Sequence, residues 1–291
     1  MNWADFSDAV LNFSNYGELL PLFTDTLLAG AILGVVGGLI GTFVMMRDLA
    51  FAVHGIAELS FAGAAFALLV GADVIMGSLV GSILAALLLG VMGVRARERN
   101  SVIGVIMPFG LGLGILFLSL YQGRSANKFG LLTGQIVSVD STQLSVLAST
   151  ALVVVVGLVL IWRPLTFASA DPDIATARGV PVRTLSLAFM FLLGIAVALS
   201  IQVVGALLVL ALLITPAAAA LQVTAAPRVV VLLSVAFAMF STVGGIMLAL
   251  GGSIPISPYV TTLSFAIYVL CRLGGAWRRR RGWSARPAVA V

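Results

Sequence analysis

Residues 50–63 read AFAVHGIAELSFAG and hold His54, the chain's single histidine, with Glu58 four positions later. On a helix, residues four apart project from one face within reach of each other. An imidazole nitrogen suits zinc, copper, iron or nickel, and a carboxylate oxygen accepts zinc or manganese. Two such groups make half of a tetrahedral site, so water, backbone carbonyls or a second copy of the chain must supply the rest. An incomplete site suits a transporter, which has to release what it binds. Ionisable groups inside an apolar segment are costly and mark substrate or ion paths. The alternative is a structural pair that tethers this segment to a neighbour, and the residues alone leave both readings open. Gly55 and Gly63 point to a partly unwound segment lining a cavity, while Arg47 and Asp48 read as interfacial charges.

The elements that position this pair are membrane helices. Of 291 residues, 61% are apolar and 9% charged, against roughly 25% charged in soluble domains. Apolar runs near the ~20 residues needed to cross a bilayer recur along the chain. They predict an all-α polytopic bundle of nine spans, at about 26–45, 50–70, 74–93, 102–121, 142–162, 184–202, 204–222, 229–250 and 257–274. As one helix, 184–222 would measure nearly 60 Å at ~1.5 Å per residue, twice the ~30 Å core, so it must fold back or lie partly inside the bundle. Glycine clusters such as GAILGVVGGLIG and FGLGLG fit close helix packing. Pro108 and Pro216 fall inside spans and are candidate hinges.

Charge orients the bundle. With the N-terminus outside and the C-terminus inside, all of the 16 basic residues except Arg124 and Lys128 fall inside. Asp5, Asp8, Glu18, Asp25, Asp73 and Asp140 fall outside. Residues 1–25 then form an extracytoplasmic or interfacial segment, with Trp3, Phe6, Val10 and Phe13 at helical spacing. Residues 26–274 form the transmembrane domain and 275–291 a basic cytoplasmic tail. The tail's RRRR at 278–281 suits an anchor to anionic lipid, which disposes of nucleic acid as the reason for a pI near 10.1. Cys271, the lone cysteine, reads as a packing residue.

No catalytic machinery emerges. The one lysine, Lys128, follows Ser-Ala-Asn, so no phosphate-binding loop of the Gly-Lys-Ser/Thr type is possible. A single histidine excludes His-Glu-x-x-His. The chain is therefore not expected to be an enzyme. The cytoplasmic stretch FASADPDIATARGVPV, residues 167–182, predicts a capped helix of about seven residues. Asp171 is its N-cap, Pro172 its first residue and Gly179 its left-handed stop, with Pro181 beyond. Docking of a soluble partner and plain connection are both open uses for it.

At these residues the chain resembles the membrane permease subunit of ATP-binding-cassette importers for zinc and manganese, from about residue 25 to 273. MMRDLAFAVHGIAELSFAG is similar to the family's R-x-x-A-x-x-G-D-A-L-S-H-A-x-x-P-G segment. SVIGVIMPFGLGLGILFLS is like its Ala-Ile-Gly span. FASADPDIATARGVPVRTL through IQVVGALLVLALLITPAAAA is like its cytoplasmic helix and the Q-x-VG-x-LLV segment after it. The resemblance implies a permease homodimer in a prokaryotic cytoplasmic membrane, two ATPase subunits and an extracytoplasmic metal-binding protein. The ATPases would dock on the short helix, at Asp171, Pro172, Asp173, Ile174, Ala175 and Gly179. Zn2+ or Mn2+ would be cargo, ATP would be used by the partner, and no cofactor would be held permanently.

The departures are specific. Aligned from Arg47 to Gly63, the family's Asp falls on His54 and its His on Glu58, a reversed ligand order. Its Gly falls on Val53 and its Pro on Ala62. Two rival readings remain: an ion-coupled secondary transporter protonated at Glu58, and a non-transporting membrane scaffold.

Overall fold

The computed structural model describes residues 17, 20–92, 96–123, 131, 139–205, 208–250 and 255–280. The side chains of 22, 92, 96–99, 202–204 and 278–280 are outside that description. The interfacial segment expected at 3–14, most of the outer loop at 122–141, the GGSI of GGSIPIS at 251–254 and the tail from Arg281 lie outside the described residues.

Among the described residues every regular element is helical. In chain order they are α1 (Thr24–Met46), α2 (Ala50–Val70), α3 (Val74–Met92), α4 (Ala96–Leu120), α5 (Ser141–Ala170), α6 (Pro172–Ala177), α7 (Val182–Val204), α8 (Val209–Leu213), α9 (Thr215–Val223), α10 (Pro227–Leu250) and α11 (Ile256–Arg280). Eight of these are long and apolar enough to cross a bilayer. Helices dominate because a chain in hydrocarbon must satisfy every backbone N–H and C=O within the segment.

The seventh expected span, 204–222, is not one helix. Gly205 adopts φ +79°, a left-handed conformation that ends α7 with its N–H still bonded to the Ile201 carbonyl at 2.9 Å. A second break at Ile214 separates α8 from α9. Pro216, in the first turn of α9, has no N–H to continue the preceding ladder. Pro216 therefore starts a helix, whereas Pro108 lies inside α4.

The chain forms two compact units. One comprises Met1–Met45 with Ala211–Val291. Here α1 lies on α10 with almost no side chain between the backbones. A Cβ on Gly34 would meet Met239 N at 2.9 Å, and one on Gly38 would meet Val235 N at 2.6 Å. The approach is close enough for hydroxyls to cross: Ser234 Oγ donates to Gly38 O and Thr242 Oγ1 to Gly30 O, each at 2.9 Å. Small residues let helices approach and hydroxyls bond across, which is how association proceeds without a hydrophobic drive. α9 packs on α10 and α11.

The other unit is Met46–Leu210, with α2 at its centre against α3, α4 and α7. Ser60 Oγ lies 2.8 Å from Ser78 Oγ of α3, and Gly63 meets Gly77 backbone to backbone. α5 runs 30 residues, roughly 45 Å at ~1.5 Å per residue, longer than the ~30 Å core. It extends past the expected end at 162 through Pro164 to Ala170, so α6 follows directly on a helix longer than one crossing requires.

Candidate metal pair and cytoplasmic helix

His54 and Glu58 lie in the first half of α2, one turn apart. Nε2 of His54 is 3.7 Å from Oε1 of Glu58, beyond hydrogen-bond length. Their side chains are 33% and 13% exposed, so both are reachable yet largely sheltered. His54 Nδ1 is buried and makes no hydrogen bond. A buried polar nitrogen without a partner is rare in folded proteins and calls for a reason. An imidazole that leaves one nitrogen unbonded and holds the other loosely beside a carboxylate is available to coordinate a cation. Among the described residues no group of three His, Cys, Asp or Glu comes together, so those residues offer this pair and no third ligand of that kind.

The helix carrying the pair is unbroken from Ala50 to Val70, which corrects the expectation of an unwound segment. Gly55 and Gly63 are contact points instead. A Cβ on Gly55 would lie 3.3 Å from Ile103 Cγ2 and 3.7 Å from Met107 Cγ of α4, and Gly63 faces Gly77 of α3. Gly110 of α4 abuts the backbone of Glu58 itself. The pair is thus held by glycine-mediated approach of two neighbouring helices, a role for the FGLGLG repeat that composition alone did not assign.

The second constellation is α6. The Asp171 carboxylate accepts from Asp173 N at 3.1 Å and Ile174 N at 2.9 Å, with Pro172 in the first turn. Gly179 has φ +81° just after the helix. Ala175 is fully buried against Ala168 of α5 and Leu185 of α7, whereas Ile174 is 46% exposed. One face of α6 is therefore seated and the other presents an apolar side chain outward.

Arg47 was missed as a structural residue. Its guanidinium donates to Ser169 Oγ at 3.2 Å and to Ser186 Oγ, and lies 6.0 Å from the ring centre of Phe189. The signal in the sequence was an arginine next to a span with serines at the facing ends of two others, too sparse a pattern to read alone.

Comparison with known proteins fits this frame. The manganese transport system membrane protein MntC of Halalkalibacterium halodurans is 29% identical over 246 residues, covering 84% of this chain and 82% of its own. The high-affinity zinc uptake system membrane protein ZnuB of Haemophilus influenzae is 24% identical over 253 residues, 87% of this chain and 97% of its own. Among solved structures, PsaBC from Streptococcus pneumoniae in complex with Fab has the same fold, with TM-score 0.81, 22% identity, and coverage of 92% of this chain and 99% of that one. A metal-chelate type ABC transporter in an inward-facing conformation matches at TM-score 0.69 and 17% identity, covering 92% and 93%. The profile of the ABC 3 transport family matches residues 20–274, nearly all of the helical region described above, and the chain belongs to that family.

Proposed function

We propose that this chain is the membrane permease subunit of an ATP-binding-cassette importer, moving a divalent transition metal across a prokaryotic cytoplasmic membrane. The observation that carries the reading is family membership over residues 20–274 together with a half-sheltered His54–Glu58 pair in a membrane helix. Zinc is the first cargo and manganese the second. Imidazole favours zinc, carboxylate accepts either, and the named relatives include systems for both.

In this mechanism His54 and Glu58 replace part of the metal's hydration shell as it passes and hold it too weakly to trap it. Two copies of the chain would flank the path and complete the coordination. The exposed face of α6, from Asp171 to Gly179, would receive an ATPase subunit, one per permease copy, and Pro108 and Pro216 would serve as bending points. A metal-binding protein would deliver cargo from the outer side. Arg178 and Arg183, both just after α6, support its placement on the cytoplasmic side.

The test is radiolabelled zinc uptake, with unlabelled manganese as competitor, in cells making the chain with its ATPase and binding protein. Wild type should accumulate zinc, and the His54→Ala/Glu58→Ala variant, equally abundant and still bound to its ATPase, should not. Normal uptake by that variant overturns the assignment of the pair. Uptake that persists when the ATPase is inactivated overturns the importer class.

A further inference from the structure

Arg47 touches the two helices that seat α6, next to the residues that do the seating. Ala175 of α6 is buried against Ala168 and Leu185. The next residue along α5 is Ser169 and the next along α7 is Ser186, and both accept hydrogen bonds from the Arg47 guanidinium. Below them lies the fully buried ring of Phe189, 6.0 Å from the guanidinium carbon. The planar fork of arginine bonds two acceptors in fixed relative positions, which a lysine cannot reproduce.

On its other side Arg47 is tied to the metal pair. Asp48, with φ +52°, is the only non-glycine residue of positive φ among those described, and it turns the chain tightly into α2. His54 follows Arg47 by seven residues. A non-glycine residue held in the left-handed region leaves the turn little slack to absorb a shift. A displacement of α5 and α7 against each other would therefore move the start of α2, and with it His54 and Glu58.

We propose that Arg47 is the positioning residue that transmits movement of the α6 seat to the His54–Glu58 helix, so that partner hydrolysis is converted into metal movement. This rests on the reading of the chain as an ATP-driven permease. Its prediction is a change in stoichiometry rather than a loss of assembly.

The experiment uses the full transporter, permease with its ATPase and binding protein, reconstituted in liposomes, with zinc uptake and phosphate release measured on the same samples. Wild type is measured first, and absence of ATP-dependent uptake there counts against the permease reading and not against Arg47. With wild type active, Arg47→Gln should keep hydrolysing ATP while zinc moved per ATP falls about tenfold, within the range of ordinary intersite couplings. Arg47→Lys should fall between the two. The Ser169→Ala/Ser186→Ala double variant, which leaves the arginine in place, should reproduce the loss of stoichiometry. Uptake and hydrolysis falling in proportion in that double variant would show a purely structural role and overturn the proposal. An unchanged ratio in it would do the same.

Discussion

Gly110 of α4 lies directly against the backbone of Glu58 in α2. A Cβ added to Gly110 would come 3.1 Å from the Glu58 carbonyl carbon and 3.2 Å from its Cβ, tighter than side chains normally tolerate. The backbone that carries Glu58 is therefore approached through an absence, the side chain that Gly110 lacks.

Gly110→Ala should force α4 away from α2 and lower metal uptake several-fold, with a stability cost of about 1–3 kcal/mol for overpacking. Gly112→Ala, which faces open space two residues on, should leave uptake intact. Uptake assays paired with thermal unfolding in detergent check this. Equal behaviour of the two variants would remove the role assigned to Gly110.

The α1–α10 contact predicts a graded series. Ser234→Ala removes one interhelical hydroxyl, but Gly38 O also accepts from Thr42 Oγ1 at 2.9 Å, so the carbonyl keeps a partner. The loss should be small, about 0.6 kcal/mol. Gly38→Ala drives a methyl into the Val235 backbone and should cost more, about 1–3 kcal/mol. Detergent melting curves that reverse this order would refute direct backbone contact.

Capping of α6 is separable from the charge of its cap. Asp171→Ala should lose about 1 kcal/mol of local helix stability and weaken retention of the ATPase during purification. Asp171→Asn keeps a capping oxygen and should restore retention. If neither variant differs from wild type, α6 is not a docking element.

Asp140, outside the membrane-spanning helices, accepts from Gln143 N and Thr142 N at the start of α5, and these bonds hold its carboxyl below the usual carboxylate value. A group depressed on folding contributes stability above its unfolded pKa and loses it as pH falls through the folded one. The stability difference between wild type and Asp140→Ala should therefore be constant near neutrality and shrink below about pH 4. A difference that does not vary with pH would show that the cap's charge contributes nothing.

The helical class and most of the spans were legible because hydrocarbon imposes length and apolarity on every crossing. α6 was equally legible, since Asp171, Pro172 and Gly179 each carry a backbone requirement that only a few residue types meet. The end of α7 beside Gly205 was legible as the boundary between two spans, but the second break at Ile214 was not, because hydropathy measures composition and is blind to where the ladder stops. The pair was found by residue type, yet its surroundings were not. Gly110 meeting Glu58, and Arg47 meeting Ser169 and Ser186, join positions 52 to 139 residues apart, and no local pattern reports such meetings.

The parity expected from the charges turns on the interrupted stretch from Val209 to Val223. That stretch would reach only about 22 Å at ~1.5 Å per residue, short of the ~30 Å hydrocarbon core. Yet Val209, Leu213, Ala217, Ala219 and Ala220 are fully buried, so protein and not lipid receives the broken ladder. Eight uninterrupted crossings alone would return the C-terminus to the face where the N-terminus began. The separation of arginines from carboxylates read from the sequence expects an odd count, which would be reached if this short segment, broken at Ile214, also carried the chain through. A segment that turned back instead of crossing would leave Arg228 on the same side as Asp140, against the charge separation read from the sequence.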